Sequence, residues 1–206
     1  MLELFGTVPG AVIKPAEVKN GSSLISVMKG VTSGEVEVKA QGLVVAIAGG
    51  ASVPQGHPSC YEAQKLATRV VSRGGVLVNG GENGGTMLAV NAAEPDTTLG
   101  VACPYHELIP YGAKAIVNSY QTQKNILSIL PVVVVFPGQV GTLDLLINSV
   151  GWIKSLQHQN ATPPELWLHT YWWDVLELLN NKGAIQSAVW QHIHKFNEVD
   201  EILNQL

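Results

Sequence analysis

The stretch Val132-Val133-Val134-Val135-Phe136-Pro137-Gly138-Gln139-Val140-Gly141-Thr142 decides the fold. An unbroken apolar run dominated by β-branched valine reads as a strand buried on both faces, because a half-exposed strand would alternate apolar and polar residues. Pro137-Gly138 breaks the strand, and from Val140 the apolar spacing becomes helical, to about residue 155. Buried strand, glycine-bearing loop and helix together form the repeating unit of a parallel α/β sheet.

The same unit recurs outward from this stretch. Upstream, the run Leu43-Val44-Val45-Ala46-Ile47-Ala48 ends in Gly49-Gly50. A helix over 59–72 follows, with Ala63, Leu66, Ala67 and Val70 at helical spacing and a stop at Arg73-Gly74-Gly75. The next strand, 76–78, closes on Gly80-Gly81. A helix starting near Gly85 carries Met87, Val90 and Ala93, and 98–102 forms a third strand. A helix over 118–130 leads into Pro131. Downstream come a strand at 165–169, a helix at 172–180 stopped at Gly183, and a terminal helix at 197–203. This alternation predicts an α/β fold: a doubly wound, mostly parallel Rossmann-like sheet with helices on both faces. Residues 1–41 read as an N-terminal extension of short strands or hairpins, with 24–27 and the alternating 35–39 as its strands; 42–206 is the Rossmann domain.

With 46% hydrophobic and 14% charged residues in 206, the chain has ample core for one domain and little charge to cover its surface. That balance argues against disorder and points to a homo-oligomer, a homodimer or larger, hiding apolar area. A net charge of −4 offers no basic face for a nucleic-acid polymer. No apolar run is long enough to span a membrane, and the N-terminus lacks the pattern of a signal peptide, so a cytoplasmic protein is expected. Cys60 and Cys103 are far apart and read as reduced, buried thiols.

Ligands of such sheets bind outside the carboxyl ends of the strands. Three glycine-bearing loops fall there: Gly49-Gly50-Ala51-Ser52, Gly80-Gly81-Glu82-Asn83-Gly84-Gly85, and Pro137 to Thr142. Glycine admits close backbone approach, and the following helix N-terminus offers unpaired N–H groups to an anion. The expected phosphate cradle is Gly138, Gln139, Val140, Gly141 and Thr142, completed by Gly81, Asn83, Gly84 and Gly85, with Ser52 on the opposite side.

These residues resemble the LONELY GUY (LOG) family of phosphoribohydrolases, also labelled lysine-decarboxylase-like. The family motif GGGxxGLMGAV is approached by Gly80-Gly81-Glu82-Asn83-Gly84-Gly85-Thr86-Met87-Leu88-Ala89-Val90. Its PGGxGTxxE is approached by Pro137-Gly138-Gln139-Val140-Gly141-Thr142-Leu143-Asp144-Leu145. Gly50-Ala51-Ser52, with Tyr61 and Ala63 beyond it, resembles the first phosphate loop, and 164–206 resembles the closing segment, so the likeness spans 43–206. It implies cleavage of the N-glycosidic bond of a nucleoside 5′-monophosphate, through an oxocarbenium-like centre that needs a carboxylate beside it.

The family places that carboxylate where this chain has Leu145, which cannot stabilise positive charge. Asp144 and Glu82 are the candidate replacements, although adjacent helix positions point about 100° apart. Lys124 stands near the place of a family arginine and lacks its planar fork. The Lys124-Asn125 position also resembles that of an arginine-asparagine pair in the related molybdenum-cofactor carrier branch, which binds without hydrolysis. A binding protein for a nucleotide or other phosphorylated small molecule is therefore the leading expectation, with no cofactor, and a phosphoribohydrolase using Asp144 or Glu82 is the alternative.

The remaining reactive residues carry less. His192 and His194, read on a helix, would fall on different faces, and His57, His158 and His169 lack partners at ligand spacing, so no metal site is expected. His106, after a strand end, could border the pocket. Tyr171-Trp172-Trp173 reads as core or interface, and Glu62 with Lys65 as a solvated helix face. There is no nucleophile elbow around Ser52, no Walker lysine after Gly80, and no dinucleotide GxGxxG turn after the first strand.

Overall fold

The structure, a computed structural model, describes residues 2–9, 13–16, 24–27, 35–40, 43–103, 107–108, 113–117 and 119–206. Four strands come first: β1 (Leu2–Pro9), β2 (Ile13–Ala16), β3 (Leu24–Val27) and β4 (Glu35–Ala40). β1 pairs antiparallel with β4, and β2 pairs antiparallel with β3.

The rest alternates. In order it runs β5 (Val44–Ala48), α1 (Pro58–Ser72), β6 (Val76–Asn79), α2 (Gly85–Ala93), β7 (Thr98–Ala102) and β8 (Ala113–Ile116). Then come α3 (Tyr120–Ser128), β9 (Val132–Val135), α4 (Val140–His158), β10 (Glu165–His169) and α5 (Thr170–Asn181). The chain closes with α6 (Ser187–Trp190), β11 (Ile193–Phe196) and α7 (Val199–Leu203). β5 through β11 form one sheet in the order β11-β10-β9-β5-β6-β7-β8, and every neighbouring pair is parallel.

That order is doubly wound. From β5 the chain moves outward to β8, then returns through α3 to the other side of β5 and moves outward again. Right-handed crossovers in opposite directions must put their helices on opposite faces. The core shows it. Val45, Ile47, Leu77, Val132 and Val134 pack with α1 and α7, whereas Ala46, Val78, Val133 and Val135 pack with α3, α4 and α5. Alternate residues of one strand thus serve two separate cores.

Helix ends follow local chemistry. His57 and His169 are the N-caps of α1 and α5, their Nδ1 atoms accepting from the Ser59 and Tyr171 amides at 3.2 and 3.1 Å. Burial holds the His169 imidazole below its usual pKa, in the neutral form a cap acceptor needs. Glu62 and Lys65 are more than a solvated face. Glu62 accepts from the Val199 amide at 3.0 Å and Lys65 pairs with Asp200 at 2.8 Å, which docks α7 on α1.

Two other expectations need correction. β8 and β11 were not expected as strands, being short and rich in residues of mixed polarity. His194 therefore lies in a strand, with His192 just before it, and not on a helix. At a spacing of two they reach the same side and flank Glu165, at 2.9 and 2.6 Å. Trp172 is core: it is buried and its indole N–H donates to the Phe136 carbonyl at 2.9 Å. Cys60 and Cys103 are both buried, and neither is in a disulfide among the described residues. Among the described residues no helix is long and apolar enough to cross a membrane, and no cluster suited to a metal ion occurs.

Candidate ligand site at the strand ends

The point where the winding reverses lies between β5 and β9, and there the loops after the two strands diverge to opposite faces. Such a switch point leaves a crevice at the carboxyl edge of the sheet. A cavity of about 290 Å³ opens at this edge, walled by the loops after β5, β6 and β9 and by one side of α3.

The three loops meet backbone to backbone. The Gly50 amide donates to the Pro137 carbonyl at 3.1 Å. Gly85 has φ +50° and a Cβ there would overlap the Gly50 carbonyl oxygen, while a Cβ on Gly138 would come within 2.8 Å of the Gly50 nitrogen. No other residue fits either position without moving the neighbouring loop. These glycines make the seam on which the cavity is built, and close approach to a ligand is not needed to explain them.

Of the residues expected to bind phosphate, Ser52, Gln139, Gly141 and Thr142 line the cavity. Gly81, Gly84, Gly85, Gly138 and Val140 shape the loops without lining it, and Val140 points outward at 79% exposure. Asn83 also lies outside. Its amide donates to Glu107 Oε1 at 2.6 Å, and its backbone N–H to the Glu107 carbonyl at 2.8 Å, so its role is to anchor the loop. The N-terminus of α4 faces the cavity through Gly141 and Thr142, with no acidic residue in its first turn. That end carries the positive pole of a long helix.

Asp144 and Lys124 require a correction. They pair with each other at 2.6 Å, across a separate groove between α3 and α4 that also holds Trp152 and Asn148. The Lys124 ammonium lies 5.0 Å from the Tyr120 ring centre, and Tyr120, whose hydroxyl donates to the Gly141 carbonyl at 3.0 Å, lines the cavity. The ring thus stands beside the ion pair at the cavity wall. The reason is helical register: Leu145 faces the cavity, so Asp144, about 100° away, cannot. Glu82 does line the cavity, and it is the carboxylate that does so among the described residues. His106 lies outside the described residues.

Several wall residues escaped the sequence reading. Tyr120, Gln123 and Leu127 come from one face of α3, at spacings of three and four, and Met87 comes from α2. Gln123 is 2% exposed, and its amide donates to the carbonyls of Gly80 (2.7 Å) and Val101 (2.8 Å). It ties the ends of β6 and β7 to α3. The i, i+3, i+7 spacing of Tyr120, Gln123 and Leu127 is a signal present in the sequence, whereas the charged neighbour Lys124 lines the groove between α3 and α4.

Fold and cavity together define a doubly wound α/β protein with a small-molecule-sized site at its switch point. Solved structures share this fold. One is the molybdenum cofactor binding protein of the phototrophic bacterium Rippkaea orientalis, at 18% identity and TM-score 0.61, over 80% of this chain and 95% of that one. Another is the molybdenum cofactor carrier protein of Chlamydomonas reinhardtii, at 14% identity and TM-score 0.59, over 80% of this chain and 96% of that one. At these identities the likeness establishes a common fold. No family model and no curated protein matches the sequence.

Proposed function

We propose that the chain is a LOG-like binding protein for a nucleotide or similar phosphorylated small molecule, without the family's hydrolytic step. The observation that carries this reading is the cavity at the switch point, with the N-terminus of α4 on one wall and Leu145 where a carboxylate would be needed. The backbone amide of Gly141, together with the Thr142 and Ser52 hydroxyls, supplies donors for a phosphate without a lysine or arginine; the Thr142 amide itself donates to the Gln139 carbonyl at 2.9 Å. The structural neighbours, a molybdenum cofactor binding protein and a molybdenum cofactor carrier, agree with a binding role for this fold. A homo-oligomer is supported by the exposed Tyr171, Val175 and Leu178, which share one face of α5.

Titration calorimetry of ribose 5-phosphate and a panel of nucleoside 5′-monophosphates tests this, with released base followed by chromatography. Saturable binding that Thr142→Arg abolishes, without base release, is the expected result. Absence of binding by every ligand would refute the proposal. The hydrolytic alternative now rests on Glu82, since Asp144 is engaged with Lys124 outside the cavity. Base release by the wild type that disappears in Glu82→Gln would establish it in place of the binding role.

A further inference from the structure

We infer that Glu82 selects the ligand's base, and that the site prefers a base presenting two adjacent N–H donors, as guanine does, over adenine. The inference rests on the nucleotide-site reading above and extends it to specificity. Glu82 sits in the loop after β6, whereas Gly141 and Thr142 belong to the loop and helix after β9. The order β9-β5-β6 puts two strand spacings between them, about 10 Å. A nucleoside monophosphate needs a similar reach from phosphate to the far edge of its base.

The two ends of the cavity differ in polarity. The α4 end presents the N-terminus of a 19-residue helix, and the other end presents a carboxylate. The wall also includes the apolar side chains of Met87, Leu127 and Leu145, which suit the faces of a flat ring. Gln123 also reaches the Glu82 end, but its Nε2 already donates to the Gly80 and Val101 carbonyls, so it is poorly placed to read a ligand. A phosphate placed at the Glu82 end would meet like charge; placed at α4 it meets the helix pole. The orientation of the ligand follows from that difference.

An ionised carboxylate only accepts hydrogen bonds, with about four lone-pair sites, so it can take ligand donors in addition to partners within the protein. Guanine offers N1–H beside its 2-amino group, which matches the two carboxylate oxygens. Hypoxanthine keeps only N1–H. Adenine sets one amino donor beside the N1 lone pair, which the second oxygen would repel. The Glu82 backbone is also held in advance: it bridges to Leu108, and the next residue bonds twice to Glu107. A loop fixed before binding loses little entropy on binding.

The experiment titrates guanosine, inosine and adenosine 5′-monophosphates into wild type and Glu82→Gln, with matched melting temperatures as the check that the variant is folded. A bidentate pair discriminates by roughly tenfold or more. The expected wild-type order is guanosine, then inosine, then adenosine, with at least that ratio between first and last. Glu82→Gln should bring guanosine and adenosine monophosphates to within about threefold. Equal or tighter binding of the adenosine compound by wild type would overturn the inference while leaving a nucleotide site in place, as would a guanosine preference that survives in Glu82→Gln. If none of the three binds, the nucleotide reading itself falls, and this inference with it.

Discussion

Replacing Asp144 by asparagine tests whether the Lys124–Asp144 pair belongs to the architecture or to the ligand site. The Lys124 side chain is 9% exposed and Asp144 47%, and they meet at 2.6 Å. Removing one partner of a fully buried pair costs about 3–5 kcal/mol, because it strands a charge away from water. A fully exposed pair is worth about 0–1 kcal/mol. Here one partner is sealed and the other half in water, so water entering on the Asp144 side recovers part of the loss. A cost of about 2 kcal/mol is expected, which in a domain of this size lowers the melting temperature by roughly 4–8 °C. Lys124→Met should cost less, since it removes the charge that must be compensated. The double variant Lys124→Met/Asp144→Asn should lie close to Lys124→Met alone, giving a coupling of about 1–2 kcal/mol. Calorimetric melting of the four proteins measures this, and ligand titration on the same samples should show affinity within about twofold of wild type, the tolerance that an independent site allows. An Asp144→Asn protein that melts with wild type but no longer binds would refute the placement of this pair outside the site.

Three further outcomes follow from contacts already described. Gln123→Leu leaves the Gly80 and Val101 carbonyls without their buried donor, and urea unfolding should register a loss of about 2–4 kcal/mol. Burial pushes the Glu165 carboxyl up, but hydrogen bonds from His194 and His192 outweigh this and hold it below its usual pKa. Its stabilisation is therefore complete above the unfolded value of about 4.3 and is lost as pH falls through the lower folded value. Glu165→Gln should flatten the acid limb of the stability curve, and an unchanged limb would show that the two histidines do not hold the charge. Leu178→Asp, on the exposed face of α5, should reduce the sedimenting mass if that face joins two copies; an unchanged mass would place any interface elsewhere.

The sequence alone determined the parallel sheet and its edge. Runs such as Val44-Val45-Ala46-Ile47-Ala48 and Val132-Val133-Val134-Val135 are apolar at every position, which only a strand covered on both faces tolerates. Glycine after β5, β6 and β9 located the edge that carries the cavity for the same local reason: chain reversal beside another backbone excludes a Cβ. Short edge strands carry no such signature. Ile193-His194-Lys195-Phe196 mixes apolar with polar residues because as an edge strand it is only partly covered, and it was legible only once β10 lay beside it.

Tertiary structure alone decided which polar residues face the cavity. Gln123 and Lys124 are neighbours in sequence, as are Asp144 and Leu145, and in each pair the helix sends one to the cavity and the other to the groove between α3 and α4. Sequence spacing gives the 100° between them but not the rotation of the helix about its axis. That rotation is set by packing, through contacts such as those of Ile126 and Leu146 with the strands. The pairing of Lys124 with Asp144, 20 residues apart, has the same origin: two helices from separate crossovers become neighbours only when the sheet winds back past its first strand.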